Sequence, residues 1–327
     1  MARLGPAALV VLEHSEYALY RIEQELRRDF PELVLLPLLG DVCETAACRE
    51  AIARGRVEIV FHAAAYKQVP LLEGQLRAAL RNNLLGTARL AEAAAEAGVE
   101  SFVLISTDKA VRPVSVMGAS KRAAERLLAA LAAEGRARTR FLTVRFGNVL
   151  DSAGSVVPLF REQIARGGPV TVTHPEIERY FMTIPEACQL ILQAAVIGQG
   201  GEILALDMGE PVKIRELAEQ MIRLAGKVPG RDVQIVYTGL RPGEKLYEEL
   251  FHPTEERRRT RHPKILECRP AGAPLADWRR LLAETARAVA EADEARLREL
   301  LERWVPDFEP SRAAEARPAQ LRLVGGG

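Results

Sequence analysis

The sequence predicts an α/β fold, a doubly wound parallel sheet with a smaller C-terminal lobe that holds the substrate. Short, continuously apolar runs alternate with longer stretches rich in Ala, Leu, Glu and Arg through the first half of the chain. Strands that are apolar throughout are buried on both faces, as in a parallel sheet covered by helices. Polar residues cluster where these runs end, at the edge where open α/β sheets bind ligands.

Five strands and four helices account for the first half of the chain. The strands are expected at 8–12, 32–38, 57–63, 101–106 and 140–147. The helices are expected at 16–29, 44–55, 76–98 and 120–135, the third stopped by Gly98. Alternation of strand and helix at this spacing is typical of a parallel sheet.

The second half is less regular and reads as a lobe packed on the carboxyl edge of the sheet. Helices are expected at 155–168, 184–198 and 213–226, with short strands between them, and a further helix near 275–303. We therefore divide the chain into a sheet domain at 1–150, a lobe at 151–270 interleaved with the sheet, a helical segment at 271–308 and a disordered tail at 309–327.

The composition excludes several classes of protein. The 45 basic and 44 acidic residues give a net charge of +1, so no overall charge attracts nucleic acid or an anionic membrane. The four cysteines form no C-x-x-C pair and no histidine cluster joins them, which disfavours a metal site or a disulfide framework. No apolar run is long enough to span a membrane and the N-terminus is not a typical signal peptide. We expect a cytoplasmic protein.

A glycine-rich turn is missing. A doubly wound dinucleotide fold opens with a strand, a G-x-G-x-x-G turn and a helix, and no such turn stands between a strand and a helix here. Glu13 nevertheless ends a strand where an acid normally binds the adenosine ribose, about 20 residues after the glycines. We expect that the chain starts after its own phosphate-binding turn, some ~20–30 residues in. The alternative is that Glu13 is a solvated strand-end acid.

Seven motifs follow one another in a specific order. They are HAAAYKQVP (62–70), NNLLGT (82–87), ISTDKAVRP (105–113), MGASK (117–121), RFGNVL (145–150), RYFMT (179–183) and GLRPGEKLYEEL (239–250). Together they resemble the nucleotide-sugar dehydratases and epimerases of the extended short-chain dehydrogenase superfamily. The most similar branch is the polysaccharide-biosynthesis (CapD-like) group, which includes UDP-N-acetylglucosamine 4,6-dehydratases. The resemblance covers residues 8 to 268.

The resemblance implies a reaction for the segment STDK (106–109). The cofactor takes hydride from sugar C4, a base removes the C5 proton, an acid protonates the leaving C6 hydroxyl, and hydride returns to C6. Lys109 would be the base and Asp108 the acid, which requires a neutral lysine and a protonated aspartate. The alternative is that Asp108 and Lys109 form only a strand-end ion pair. Thr107 would bind the C4 hydroxyl. Where most of the superfamily has Tyr-x-x-x-Lys, this helix has Met117 and Lys121. The alternative to a catalytic pair is an ordinary helix with a buried methionine and a surface lysine.

The resemblance also implies an NAD-binding, Rossmann-like domain at 1–150. Glu13 would favour NAD over NADP, because an acid repels a 2′-phosphate. The remaining residues expected at the cofactor are Asp41 and Val42 at the adenine, Ala63 and Ala64 where the backbone approaches, Ser106 near the nicotinamide, Lys121 at its ribose, and Asn83. Asn83 either reaches a backbone group beside the cofactor or is an ordinary satisfied helix asparagine.

On the UDP-sugar side, Lys67 and Asn148 are candidates. Arg179 and Arg241 would bind the pyrophosphate through their guanidinium groups, and Glu244 would accept from the uridine ribose. The alternative for an isolated arginine is a solvated place on the surface. Asp151 departs from the branch, which usually has glycine there. Its carboxylate either repels phosphate or faces solvent.

The resemblance therefore implies an NAD-dependent UDP-N-acetylglucosamine 4,6-dehydratase, a lyase serving surface-polysaccharide synthesis. A nucleotide-sugar epimerase is the alternative within the same family, although an adjacent acid and amine favour dehydration. A second alternative is a catalytically incomplete remnant that only binds UDP-sugar. We also expect a homo-oligomer, because the helices near 76–98 and 114–135 are rich in Ala and Leu and the resemblance implies that this pair packs between subunits.

Overall fold

The computed structural model describes residues 1–269 and 276–310. The strands are β1 (Leu9–Glu13), β2 (Leu35–Leu39), β3 (Ile59–His62), β4 (Ser101–Ile105), β5 (Arg140–Arg145), β6 (Asn148–Val149), β7 (Val170–Val172), β8 (Glu178–Arg179), β9 (Phe181–Met182), β10 (Ile203–Leu206), β11 (Val212–Lys213), β12 (Ile235–Tyr237), β13 (Glu256–Arg259) and β14 (Ile265–Arg269). The helices are α1 (Glu16–Asp29), α2 (Thr45–Gly55), α3 (Val69–Leu72), α4 (Leu76–Ala79), α5 (Thr87–Ala97), α6 (Val116–Glu134), α7 (Val156–Ala165), α8 (Ile184–Ile197), α9 (Ile214–Leu224), α10 (Trp278–Glu291) and α11 (Glu294–Trp304).

The main sheet has six strands in the order β13-β14-β10-β5-β4-β3. Strands β3, β4, β5 and β10 are parallel, and β14 and β13 join antiparallel at one edge. In strand β4, which lies between β5 and β3, Phe102 and Leu104 pack in one apolar core and Val103 packs in another. Helices α5 and α6 supply the first core and α8 the second, so the sheet is covered on both faces as the apolar runs predict.

The first two strands stand apart from this sheet. Strand β1 pairs in parallel with β2, and among the described strands neither hydrogen-bonds to β3. The apolar runs of the first half predict these segments as strands, but they do not say which strand lies beside which.

The lobe has a core of its own. Helices α7 and α9 pack on the strand pair β7 and β12 through buried residues such as Phe160, Val170 and Ile222. Two further short pairs are formed by β6 with β9 and by β8 with β11. They bring Asn148 and Arg179 toward the carboxyl end of β4.

Two helices differ from their predicted form. The segment predicted as one helix at 76–98 contains a π-helical stretch, Leu80–Gly86, between α4 and α5. The segment predicted as one helix near 275–303 is a hairpin, α10 and α11, broken at Ala292, which has φ 56°. Asp293 then caps α11 by accepting from the backbone N–H of Arg296 at 3.0 Å.

This hairpin packs against part of the helical region that the sequence assigns to an interface between subunits. It packs on α4, α6 and the π-helical stretch, with Trp304 fully buried and its Nε1 donating to Thr285 Oγ1 at 3.0 Å. Many Ala and Leu residues of α5 and α6 are buried by contacts within the chain, and the homo-oligomer stays a prediction. The tail predicted as disordered lies, from residue 311 on, outside the described residues.

Within the described ranges, no helix is both long and apolar enough to cross a membrane.

Candidate functional site

The polar cluster at the end of β4 is built on a short turn. Thr107 caps the turn Asp108–Ala110 by accepting from the backbone N–H of Lys109 at 3.4 Å. The carboxylate of Asp108 is wholly buried, and its Oδ1 accepts from Thr107 Oγ1 at 2.9 Å and from Lys109 Nζ at 3.0 Å. Lys109 Nζ also donates to Asn148 Oδ1 at 3.0 Å. Four residues singled out from the sequence thus meet at one point.

The charge state of Lys109 differs from the expected one. Burial lowers the pKa of Lys109, but the charges of Asp108 and Glu248 outweigh burial, so the net pKa lies above that of a free lysine. A raised pKa favours the ammonium form, and the 3.0 Å contact with Asp108 has the geometry of an ion pair, whereas a base must be a neutral amine. To act as a base, Lys109 must first lose a proton to a neighbouring group.

Glu248 is a member of this cluster that the sequence argument missed. Its Oε1 lies 3.6 Å from Lys109 Nζ and 3.9 Å from Arg179 Nε, and its side chain is 3% exposed. Burial raises the pKa of Glu248, against the pull of Lys109. Glu248 Oε2 and Asp108 Oδ2 are both buried without a hydrogen-bond partner. The motif GLRPGEKLYEEL contains three acids, any of which could have been a candidate, but only the first, Glu244, was given a role.

The two predicted phosphate-binding arginines are engaged within the chain. Arg179 donates to the backbone carbonyls of Glu178, Lys245 and Leu246 at 2.7 to 3.2 Å. Arg241, which is exposed, pairs with Glu244 at 3.2 Å, and the same Glu244 oxygen lies 3.6 Å from Arg179. In this arrangement Arg179 fixes the segment that carries Glu248, and a role at a pyrophosphate would require it to exchange these contacts.

Lys121 reaches the end of β4 from helix α6. It is 5% exposed and its Nζ donates to the carbonyl of Ile105 at 2.6 Å. Burial lowers the pKa of Lys121 to about 8. Met117, one turn earlier, lies in the apolar core. The alternative of a surface lysine is therefore wrong, because Lys121 is buried. The same alternative placed Met117 in the interior, and Met117 is indeed buried.

A buried ionic network lies behind Ser106. Ser106 Oγ donates to Glu125 Oε1 at 2.6 Å, and the fully buried Arg145 bridges Glu125 and Glu255 at 2.8 to 3.2 Å. Arg122 donates to the same two carboxylates. The sequence argument did not single out these residues, although an arginine inside the apolar strand RFLTVR (140–145) was a visible signal.

The π-helical stretch positions Asn83. Its Oδ1 accepts from the backbone N–H of Tyr66 at 2.8 Å, and its Nδ2 donates to the carbonyl of Tyr66 and to Ser120 Oγ. Of the two alternatives, the structure places Asn83 on a backbone group, in the loop that follows β3. Ala63 and Ala64, in the same loop, are exposed and leave the backbone accessible.

Glu13, Asp41 and Val42 form a separate group at the ends of β1 and β2. Glu13 Oε1 accepts from the backbone N–H of Ser15 at 2.9 Å. Asp41 accepts from the backbone N–H of Cys43 and pairs with Arg81 of the π-helical stretch at 3.1 Å. Val42 is buried. The Arg81 contact links this group to the loop held by Asn83.

Lys67 and Asp151 lie at the outer rim. Lys67 Nζ donates to Ser152 Oγ at 3.3 Å, and burial lowers its pKa. Asp151 pairs with Arg161 at 3.1 Å, and its side chain is about half exposed. It also has φ 60°, a left-handed conformation that favours glycine. That backbone angle explains why glycine suits this position, and of the two readings the Asp151 side chain follows the solvent-facing one.

Two curated relatives match most of this chain. It is 50% identical over 256 residues to the capsular polysaccharide biosynthesis protein CapD of Staphylococcus aureus, covering 78% of this chain and 42% of the relative. It is 47% identical over 261 residues to the probable polysaccharide biosynthesis protein EpsC of Bacillus subtilis, covering 80% and 43%. The chain thus spans less than half the length of these two curated relatives.

Solved structures share the fold. Pen from Bacillus thuringiensis superposes with a TM-score of 0.74 at 32% identity, over 81% of each chain. MoeE5, solved in complex with UDP-glucose and NAD, superposes with a TM-score of 0.60 at 26% identity, over 72% of this chain and 87% of MoeE5. The doubly wound, Rossmann-like fold predicted from the sequence is confirmed. Residues 1–270 match the sequence model of a family whose description is 'polysaccharide biosynthesis protein'. The chain therefore belongs to this family of extended short-chain dehydrogenases.

Proposed function

We propose that the chain is an NAD-dependent UDP-sugar 4,6-dehydratase that acts on UDP-N-acetylglucosamine in surface-polysaccharide synthesis. The observation that carries the proposal is the direct contact between the Asp108 carboxylate and the Lys109 amine at the carboxyl end of β4. Elimination of water across C5 and C6 needs one group that removes a proton and one that supplies a proton, close together. An epimerase needs no acid for a departing hydroxyl.

The residues at the sheet edge fit a dinucleotide. Glu13 has a partly exposed carboxylate for a ribose, and the exposed Ala63 and Ala64 leave room for close approach. NAD would be held by Glu13, Asp41, Val42, Ala63, Ala64, Asn83, Ser106 and Lys121. Bound NAD would supply hydride acceptance from sugar C4 and hydride return to C6. MoeE5, at 26% identity, was solved with NAD and UDP-glucose, which supports this choice of cofactor and substrate class.

The chain's own groups would act on the sugar as follows. Thr107 would bind the C4 hydroxyl, Lys109 Nζ would take the C5 proton, and Asp108 would give a proton to the C6 hydroxyl. Asn148 holds Lys109 Nζ at 3.0 Å and so orients the amine. Lys67, Arg179, Arg241 and Glu244 would bind the nucleotide diphosphate. The buried position of Asp108 keeps water away from the acid.

The test combines binding with product analysis. The purified chain is titrated calorimetrically with NAD⁺, then with UDP-N-acetylglucosamine, and the product is followed by NMR. We expect a 4-keto-6-deoxy sugar, and a loss of about 10²-fold or more in Asp108→Asn and Lys109→Met. Lys213→Met, on a surface lysine paired with Glu176, is the matched control and should retain activity. A 4-epimer without a keto sugar would favour the epimerase, and binding of UDP-sugar without turnover would favour the inactive remnant.

A further inference from the structure

Lys109 stands between two buried carboxylates, and the second has no role in the reaction described above. Its Nζ lies 3.0 Å from Asp108 Oδ1 and 3.6 Å from Glu248 Oε1. Each of these carboxylates also has one buried oxygen without a donor. Burying an ionised oxygen unpaired is costly, so the pair of carboxylates favours holding a proton in addition to the one on Lys109.

The charged groups facing Glu248 come from three parts of the fold. Lys109 and Asp108 approach from the turn after β4, Arg179 approaches from β8 at 3.9 Å, and Lys245 belongs to the same segment as Glu248. Lys245 is turned away, since its Nζ donates to the carbonyl of Val111 at 2.8 Å. The cations nearest to the Glu248 carboxylate are therefore Lys109 and Arg179, neither closer than 3.6 Å.

We propose that Glu248 is a positioning residue that controls where the proton of the Asp108–Lys109 pair resides. When Glu248 is neutral, an N–H bond of Lys109 breaks and an O–H bond forms on Asp108 Oδ1, across their existing 3.0 Å hydrogen bond. The result is a neutral amine and a carboxylic acid, with no change in the charge of the pair. When Glu248 is ionised, its charge beside Nζ keeps Lys109 an ammonium and Asp108 a carboxylate.

Two directions of pKa agree with this geometry. The pKa of Glu248 is raised by burial and by the charge of Asp108, so its neutral form persists to higher pH than in a free glutamate. The pKa of Lys109 is raised against burial by the charges of Asp108 and Glu248. Removing the charge of Glu248 therefore removes one of the two negative charges that favour the protonated form of Lys109. The use of this proton shift in catalysis rests on the proposed function; the shift itself does not.

The shift is measured on the full-length chain without substrate. The chain has seven lysines, few enough for their side-chain ¹³Cε signals to be resolved by NMR and assigned with Lys109→Arg. In Glu248→Gln we expect the pKa of Lys109 to fall by one unit or more. Glu249→Gln is the matched control, because Glu249 is adjacent, exposed and paired with Arg112, and it should leave the pKa of Lys109 unchanged. A fall of less than one unit in Glu248→Gln overturns the proposal.

A second measurement covers the case in which Glu248→Gln does not fold. In the unsubstituted chain, the Lys109 signal should show an inflection at the pH where the carboxyl of Glu248 titrates, and its absence overturns the proposal. With substrate, kcat should fall as pH rises through the raised pKa of Glu248, and this fall should vanish in Glu248→Gln. A purely structural role would not move the pH profile. If the chain forms no keto sugar, the proposed function fails while the lysine titration still decides this inference.

Discussion

His62 makes the stability of the fold depend on pH in a way that can be calculated. It ends β3, is 2% exposed, and its Nε2 lies 2.8 Å from Thr87 Oγ1. Because the Thr87 hydroxyl donates to the carbonyl of Asn83 at 2.7 Å, Nε2 must carry the hydrogen in that contact. Burial, with a contribution from the charge of Lys121, lowers the pKa of His62 to about 3.

The size of the effect follows from the two pKa values. An unfolded histidine has a pKa of about 6.5, so below pH 6.5 the unfolded chain binds a proton that the native His62 refuses. Stability is therefore complete above pH 6.5 and falls by about 1.4 kcal/mol per pH unit below it, until the native pKa near 3 is reached. Between pH 7 and pH 5 the loss from this residue is about 2 kcal/mol.

The assay is urea unfolding at pH 7 and at pH 5. We expect His62→Gln to be less stable than the parent at pH 7, because it disturbs a packed site, but to lose about 2 kcal/mol less than the parent between the two pH values. His14→Gln is the control, since His14 is 63% exposed, and it should behave like the parent. If His62→Gln lost as much stability on acidification as the parent, the histidine would not be held neutral and the reasoning would be refuted.

Two further substitutions test local structure. At Asp151, where φ is 60°, the glycine variant should be more stable than the alanine variant by about 1 kcal/mol in thermal unfolding. Both variants lack the ion pair with Arg161, so the difference between them reports the backbone conformation alone. Asn83→Ala should cost at least about 2 kcal/mol in urea unfolding, because it leaves backbone groups of Tyr66 without partners. Asn82→Ala removes only a donor to Asn83, so an equal loss in both variants would show that the Tyr66 contacts do not matter.

The order of strands and helices could be predicted because each is specified by local pattern. The run SFVLI (101–105) is apolar on both faces, which only a strand covered on both sides accommodates, and β4 has that position. The π-helical stretch could not be predicted in this way. Its sequence, LRNNLLG, reads as ordinary helix, and the wider turn shows only once Asn83 bonds to the loop after β3.

The candidate site was predictable to the extent that its residues follow strands. Thr107, Asp108, Lys109 and Asn148 each come after a strand of the sheet, and strand ends meet at one edge. Glu248 follows no strand of the main sheet. It reaches Lys109 because Arg179 fixes the segment around Lys245 and Leu246, a contact between residues more than sixty positions apart. No local pattern reports such a contact.

Two buried clusters of charged residues lie near β4 and β5. The pairing of their carboxylate oxygens distinguishes a structural support from a candidate for chemistry. All four carboxylate oxygens of Glu125 and Glu255 accept hydrogen bonds, and Arg145 bridges them while wholly buried. Such a network holds its charges fixed, and the pKa of Glu125, lowered to about 2 by its arginines against burial, agrees with that.

The Asp108, Lys109 and Glu248 cluster has the opposite character. It has two acids for one lysine, contacts of 3.6 and 3.9 Å beyond hydrogen-bond distance, and two buried oxygens without donors. A buried carboxylate oxygen without a donor makes the ionised form costly, so this cluster favours a proton shared among its members. The same strand edge therefore carries a fully paired ionic network behind Ser106 and an incompletely paired cluster beside it, and only the second has groups left to exchange a proton.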